Sequence, residues 1–409
     1  MELFKIKKIY TTCRNCNSRK LDNIFSIKNL PMPEGHVEKN EIEYCNDINI
    51  YFCRDCYLVQ TQEDLDLDEY YKSYAYTTGN SSYVNDYMHL TVEKLIKGNF
   101  IIEGDSVLEI GSGDGAQLKH FSDCGMNCIG VEPSAPLVDV ARENNIETIE
   151  AMFDNRIVKH LKRLKGSFKL VIIQYTFDHL SDPVDFLENV KMLLNNDGLL
   201  LIEVHDFEKI YERNEACLFT HEHSIYPSKD SITNMLELNG FKVLKYDFID
   251  EEYRRGNSMV ILASIISSSY PKKDFKLINN LKIMRNVKSY INFSLKVEIA
   301  HKKLHKYIND RNNNGKIVAG YGAAGRGVDT CVIAGITKND LIAVYDKNPF
   351  FENKEMPVSR IPVKKPDTLF KDNPDELIVF SYGYIDEIKT YYSNYDGKII
   401  SMLDIMNSK

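Results

Sequence analysis

Two glycine-rich turns, each set between an apolar run and a helix-prone stretch, constrain this chain more than any other feature. The first, Glu109-Ile-Gly111-Ser-Gly113-Asp-Gly115, follows Val107 to Ile110; the second, Gly320-Tyr-Gly322-Ala-Ala-Gly325-Arg-Gly327, follows the run that begins at Ile317. Glycine turns left-handed at little cost and lets backbone approach closely, so a strand ending in such a cluster reads as the first βα unit of a parallel sheet. The alternation continues after both turns. Strands are expected at Cys128 to Glu132, Leu170 to Gln174 and Leu199 to Val204, with helices from Leu137 and Val184; later strands are expected at Leu341 to Tyr345, Leu377 to Phe380 and Ile399 to Ser401. This pattern predicts an α/β protein with two Rossmann-like sheets covered on both faces.

At roughly 150 residues per domain, a chain of 409 holds two or three. We place a small cysteine-bearing module at residues 1–66, the first sheet with a Tyr-rich helical lead-in at 67–275, a charged helical linker at 276–313, and the second, smaller sheet at 314–409. The net charge of -8, from 51 Lys and Arg against 59 Asp and Glu, argues against nucleic acid as a partner, because binding a polyanion draws on clustered cations. The start, MELFKIKKIYTTC, lacks the apolar run of about 7 to 15 residues that marks a secretory signal. The longest apolar stretch, Met259 to Ile266, is far short of the ~18 residues that span a bilayer. A cytoplasmic protein without membrane contact is expected, as a monomer or weak dimer.

Four of the nine cysteines form two pairs, Cys13-x-x-Cys16 and Cys53-x-x-Cys56. In a reducing compartment such pairing means metal rather than disulfides, and four thiolates suit a closed tetrahedral zinc site. With every position filled by protein, that zinc is structural.

The form acid-x-Gly-x-Gly-x-Gly of Glu109, Gly111, Gly113 and Gly115 resembles the first motif of class I S-adenosylmethionine-dependent methyltransferases. On that reading Glu132, followed by Pro133, ends the next strand where ribose hydroxyls would sit, Phe153 and Asp154 border the adenine, and Gln174 and Tyr175 lie beneath the methionine. A nicotinamide site or a plain tight turn are the alternatives. The second turn does match Gly-x-Gly-x-x-Gly, with Asp346 ending the following strand, and read alone it is a dinucleotide fingerprint. It also fits mere helix packing, or a helix start at which Arg326 holds the diphosphate of another ligand. A polar run, Thr220-His221-Glu222-His223-Ser224-Ile225-Tyr226, lacks the spacing of a helical metal motif and reads as a source of a general base. His179, Tyr74 and Tyr76 are expected in the same cleft.

Taken in order, these features make the whole chain resemble the sugar C-methyltransferases of deoxysugar biosynthesis, typified by enzymes that methylate C-3 of nucleotide-linked 4-keto-6-deoxyhexoses. The resemblance rests on the four cysteines, Tyr74-x-Tyr76-x-x-Gly79, Glu109 to Gly115, His179, His221-Glu222-His223, the second glycine turn, Ile361-Pro-Val363 and Phe380-Ser-Tyr382. Two places depart from the family pattern. Thr220 stands where a Tyr is usual before His-Glu-His, and Arg254-Arg-Gly256-Asn-Ser258 replaces a His-Gly-Gly-Ser run. Both face the sugar in that family, so they bear on which sugar is used.

The resemblance implies that S-adenosylmethionine is the cofactor, with Tyr76 also touching it, and that a nucleotide-linked 4-keto sugar is the substrate. Carbon becomes nucleophilic only when a proton beside the carbonyl leaves, so the reaction needs a base and a group to hold the enolate oxygen. His223, oriented by Glu222, is the expected base; Tyr76 or His179 is the expected enolate partner, with His221 nearby. Tyr74, Thr220, Gly322 and Arg326 are expected to hold the substrate. The product would be a branched sugar for a surface polysaccharide or secondary metabolite. The rival readings are a sugar O-methyltransferase, which needs no ketone, and an NAD-dependent oxidoreductase of nucleotide sugars.

Overall fold

The computed structural model describes residues 4–33, 35–39, 41–72, 74, 82–254, 257–272 and 284–408. Tyr76 and Gly79 lie outside them. Five strands open the chain: β1 (Ile6–Ile9), β2 (Leu21–Pro31), β3 (Cys45–Cys53), β4 (Val59–Thr61) and β5 (Glu63–Leu65). β1 pairs with β5, while β2, β3 and β4 form an antiparallel sheet. On β3, Ile48, Ile50 and Phe52 are buried at every second position, as one face of a pleated strand requires. That face does not close a core of its own. It packs against the helix Val287–Asn313, whose Phe293, Val297, Ala300 and Leu304 recur at the three- and four-residue spacing of a helical stripe. Phe52 meets Tyr290 with ring centroids 4.6 Å apart. The segment read from sequence as a linker is thus a strut on which the N-terminal module and the C-terminal sheet share one core.

The central sheet comprises β6 (Ser106–Ile110), β7 (Asn127–Glu132), β8 (Thr148–Glu150), β9 (Phe168–Gln174) and β10 (Leu194–His205). After a short β11 (Ile225–Tyr226) come β12 (Phe241–Tyr246) and β13 (Ser258–Ile265). The order is β12-β13-β10-β9-β6-β7-β8, parallel except for β13, which runs antiparallel to both neighbours. This is the class I methyltransferase arrangement of an α/β sheet, one strand richer in its antiparallel edge than the alternation predicts. Met259 to Ile266 is too short an apolar run to declare its direction. Strands β9 and β10 are apolar on both faces, with Leu170 to Ile173 and Leu199 to Ile202 fully buried, because helices cover both sides. β11 leaves this sheet to pair with β4, tying the N-terminal module to the central domain.

The C-terminal sheet is wholly parallel: β14 (Val318–Tyr321), β15 (Val344–Tyr345), β16 (Val363–Lys364), β17 (Glu376–Val379) and β18 (Lys398–Ser401), in the order β16-β15-β14-β17-β18. Among the described residues no helix is long and apolar enough to cross a membrane.

Candidate active site and metal centre

The four cysteines expected to bind metal come together, each offering a sulfur within 4.8 Å of the others. Cys13 and Cys56 Sγ are 3.4 Å apart, and Cys16 and Cys53 Sγ 3.6 Å. Each pair sits on a tight turn whose residue after the second cysteine is left-handed, Asn17 at φ 59° and Tyr57 at φ 64°. Asn15 N–H donates toward Cys13 Sγ at 3.4 Å. Four soft sulfurs, with no further ligand beside them among the described residues, fit zinc in a closed site. Arg14, between the first two cysteines, is buried and donates to the carbonyls of Thr61, Glu63 and Ser181. It therefore carries the knuckle's position into the turn that holds His179, a link with no signature in the sequence.

At the carboxyl end of the central sheet, Gly111, Gly113 and Gly115 have φ of 70°, 54° and 75°. Side chains disfavour that region, and a Cβ on Gly111 would run into Thr176. Above Gly113 a Cβ would meet nothing within 4 Å, so the backbone there is open to a ligand. Glu132 ends β7 and accepts hydrogen bonds from Gly113 N–H and Ser134 N–H, each at 2.9 Å. Burial raises its pKa and these two bonds oppose the rise. Glu109 is buried near the end of β6, and Pro133 is half-buried beyond Glu132. An open glycine turn with an acid at the adjacent strand end suits an adenosyl group. Phe153 packs on Phe186, whereas Asp154 caps the next helix by accepting from Arg156 N–H and Ile157 N–H. Tyr74 lies on the cofactor side: its carbonyl accepts from Ser134 Oγ at 2.5 Å, and its ring meets Tyr70 and Tyr71.

Gln174 ends β9 beside Glu203 of β10. Glu203, fully buried, accepts from Gln174 Nε2 at 3.0 Å, Tyr87 Oη at 2.7 Å and Ser258 Oγ at 2.8 Å. Its carbonyl also takes Tyr175 N–H at 2.9 Å, holding Tyr175 at φ 49°. Sequence reading missed Glu203, because an acid within an apolar strand shows its partners only once strands are in register.

Beside this network lies a cluster of buried Asp178, His205 and His223 with a half-buried His179. His205 Nδ1 donates to Asp178 Oδ2 at 2.5 Å, His223 Nε2 is 3.8 Å from the same oxygen, and His179 Nε2 is 4.0 Å from Asp178 Oδ1. Burial opposes the charge on Asp178, yet His223 and His205 outweigh it and hold the carboxyl well below its usual range. Burial pushes the His179 pKa down to about 3, and lowers that of His205. Asp178, His205 and His223 offer ligand atoms within 4.8 Å of one another, but Asp178 and His205 already satisfy each other through their hydrogen bond.

His223 Nδ1 is 2.9 Å from the Leu218 carbonyl. A carbonyl only accepts, so Nδ1 carries the hydrogen, and in the neutral ring the lone pair is on Nε2. The expected orienting role of Glu222 is corrected here: Glu222 is buried with Tyr70 as its hydrogen-bond partner, and Leu218 fixes the ring. His221 points away from the cluster, bonding the Leu30 carbonyl at 2.9 Å. Thr220 is buried on the same loop. His179 Nδ1 pairs with Tyr71 Oη at 2.9 Å, a partner the sequence did not single out.

In the C-terminal domain Gly322 has φ 95°, and a Cβ on Gly327 would strike the Gly322 carbonyl oxygen. Asp346 accepts from Ala323 N–H at 2.7 Å and Asn348 N–H at 2.8 Å. The N-terminal module covers this turn: His36 Nε2 is 3.1 Å from the Ala323 carbonyl, and Pro33 lies against Gly325. Arg326 leans the other way, its guanidinium 5.1 Å from the Tyr382 ring. Burial disfavours its charge, but Tyr382, and Glu215, Cys217 and Tyr175 of the central domain, outweigh that and keep it cationic.

Residues 84–246 match the family model described as a methyltransferase domain, and residues 279–403 match a C-methyltransferase C-terminal domain. The C-methyltransferase NovU of Streptomyces niveus is 24% identical over 384 residues, covering 92% of this chain and 90% of its own. A ubiquinone biosynthesis O-methyltransferase of Actinobacillus pleuropneumoniae serotype 7 is 27% identical over 107 residues, 24% of this chain and 44% of its own. Among solved structures, an S-adenosylmethionine-dependent methyltransferase from Clostridium acetobutylicum aligns over 46% of this chain and 93% of its own, with 11% identity and a TM-score of 0.35.

Proposed function

We propose that this chain, which is an S-adenosylmethionine-dependent methyltransferase, methylates carbon, at C-3 of a nucleotide-linked 4-keto sugar. The observation that carries this reading is His223, with Nδ1 committed to Leu218 and a bare Nε2 beside the ionised Asp178. An oxygen or nitrogen nucleophile gains less from such a base than a carbon acid, whose proton must leave before any bond can form.

Gly111, Gly113, Gly115 and Glu132 hold the cofactor, with Gln174 and Tyr175 set by Glu203. Adenosylmethionine, when bound, supplies a methyl group already activated by its sulfonium. The chain has to make the acceptor carbon nucleophilic. His223 Nε2 takes the C-3 proton, and Asp178 stabilises the imidazolium that results, as a buried carboxylate does for a histidine base. The Tyr71 phenol, kept protonated by burial, donates to His179 Nδ1 and leaves a neutral His179 with its hydrogen on Nε2. That N–H can bond the enolate oxygen, with Tyr76 as the other candidate. Gly322 and Arg326 serve the nucleotide diphosphate. The cysteines hold a structural zinc and take no part in a step.

Incubation with methyl-labelled adenosylmethionine and a panel of nucleotide-linked 4-keto sugars, with and without NAD, tests this. A mass gain with the new methyl on carbon and no need for NAD is expected. A methoxy product would establish the O-methyltransferase, and NAD-dependent turnover the oxidoreductase.

A further inference from the structure

Arg14 closes a ring of hydrogen bonds around the two loops that carry His179 and His223. Its side chain is fully buried and lies 3.9 Å from Asp64. Nη1 donates to the Ser181 carbonyl at 2.7 Å, Nε to the Thr61 carbonyl at 3.2 Å and Nη2 to the Glu63 carbonyl at 3.2 Å. From Thr61 the path continues: Thr61 N–H donates to the Ser224 carbonyl at 3.0 Å, and Ser224 N–H to the Asp178 carbonyl at 2.7 Å. Asp178 and Ser181 belong to one short turn around Phe177–His179, so the path returns to its start.

Both ends of the ring are gripped twice. Ser181 Oγ also donates to Asp64 at 2.7 Å, and Arg14 N–H donates to Gln60 Oε1 at 2.8 Å, which fixes the cysteine turn to β4. A guanidinium presents its donors in one rigid plane, so it holds carbonyls from two segments at set separations; an ammonium radiates its hydrogens from a single atom and cannot span them. The loops joined in this way place the His179 and His223 rings 4.9 Å apart and His223 Nε2 3.8 Å from Asp178. At a reacting centre an error of about 1 Å costs about 100-fold in rate.

We infer that Arg14 is a positioning residue, setting the spacing of Asp178, His179 and His223 across the ring and so making the cysteine knuckle part of the frame of the reacting site. The effect on turnover rests on the carbon-base reading above. The effect on the histidines does not.

Arg14→Lys is compared with Arg54→Lys, which changes the same residue type between the second pair of cysteines, where Arg54 meets Asp22 at an exposed site. Heteronuclear NMR of nitrogen-labelled histidine, on the full zinc-loaded chain with adenosylhomocysteine, reads the ring signals without any acceptor. Arg14→Lys should move the His179 and His223 signals while zinc content and adenosylhomocysteine affinity stay at wild-type values; Arg54→Lys should leave the signals in place. With labelled methyl donor and the panel of 4-keto sugars, Arg14→Lys should lower kcat about 10-fold or more at nearly unchanged KM. Should Arg14→Lys fail to fold, Ser181→Ala, which frees the same turn from Asp64 without touching the knuckle, should move the His179 signal. Unmoved signals, an unchanged kcat in Arg14→Lys, or equal changes in Arg54→Lys overturn the inference. A wild type that methylates none of the sugars overturns the carbon-base reading, and the histidine signals still decide the role of Arg14.

Discussion

His223 Nε2 stands 3.8 Å from the carboxylate of Asp178, which lies just beyond the end of β9. The separation is too long for a hydrogen bond and short enough for a strong charge interaction in a buried site. It sets the Asp178 charge where an imidazolium formed at His223 would face it.

Asp178→Asn preserves size and can still accept from His205, but it removes the charge that an imidazolium would face. Turnover should fall about 100-fold or more, with cofactor affinity unchanged. Comparing kcat with the dissociation constant of adenosylhomocysteine separates the two; equal loss in both would mark Asp178 as structural.

Glu132→Ala should weaken adenosylhomocysteine binding by roughly 1.5 to 3 kcal/mol, the worth of charge-assisted hydrogen bonds. The fold should persist at a lower Tm, because the buried Ser134 N–H loses its partner while Gly113 N–H lies on a half-buried turn. Calorimetry reads the change directly, and unaltered binding would move the cofactor site elsewhere.

How much of this was legible beforehand depended on how local each signal was. The cysteine pairs, Gly113, Glu132 and His223 announce themselves by spacing within a few residues. Asp178, His205, Glu203 and Tyr71 do not, because each is an ordinary residue given partners by strand register or by a turn packed from far away in sequence. Glu203 meets Gln174 only because β10 and β9 align, and Ser258 only because β13 runs antiparallel. The helix Val287–Asn313 reads from sequence only as a charged helical linker for a similar reason: its lysines dilute Phe293, Val297 and Leu304, whose burial needs two other domains.

Metal analysis should find one zinc per chain. Removing it by chelation, or Cys53→Ser, should lower Tm and loosen the Arg14 to Ser181 contact that steadies the His179 turn. Activity should therefore fall with the metal, although no ligand touches substrate. Metal-free protein with full activity and unchanged Tm would contradict the zinc assignment.

Burial holds His179 at about 3 and His301 at about 4, against roughly 6.5 for an exposed histidine. Between those values the unfolded chain binds protons that the folded chain refuses, so stability falls as pH drops from about 6.5 toward 4, by at most ~1.4 kcal/mol per pH unit for each histidine. Asp178, depressed instead, keeps its contribution throughout that window and loses it only below about pH 4, its unfolded range. Urea unfolding at pH 7.5 and pH 5 should show the loss, and His301→Gln, far from the cleft, should reduce it without changing turnover at pH 7.5. Equal stability at both pH values would contradict the buried neutral histidines.

The central claim is that His223 removes a proton from carbon. With adenosylhomocysteine in place of the methyl donor, the wild type in deuterated water should exchange hydrogen at C-3 of the keto sugar, seen by NMR as loss of that proton signal. His223→Asn should lower both this exchange and methylation by about 100-fold or more. Full methyl transfer by His223→Asn, or a wild-type product whose new methyl resonates as a methoxy group, would contradict the account.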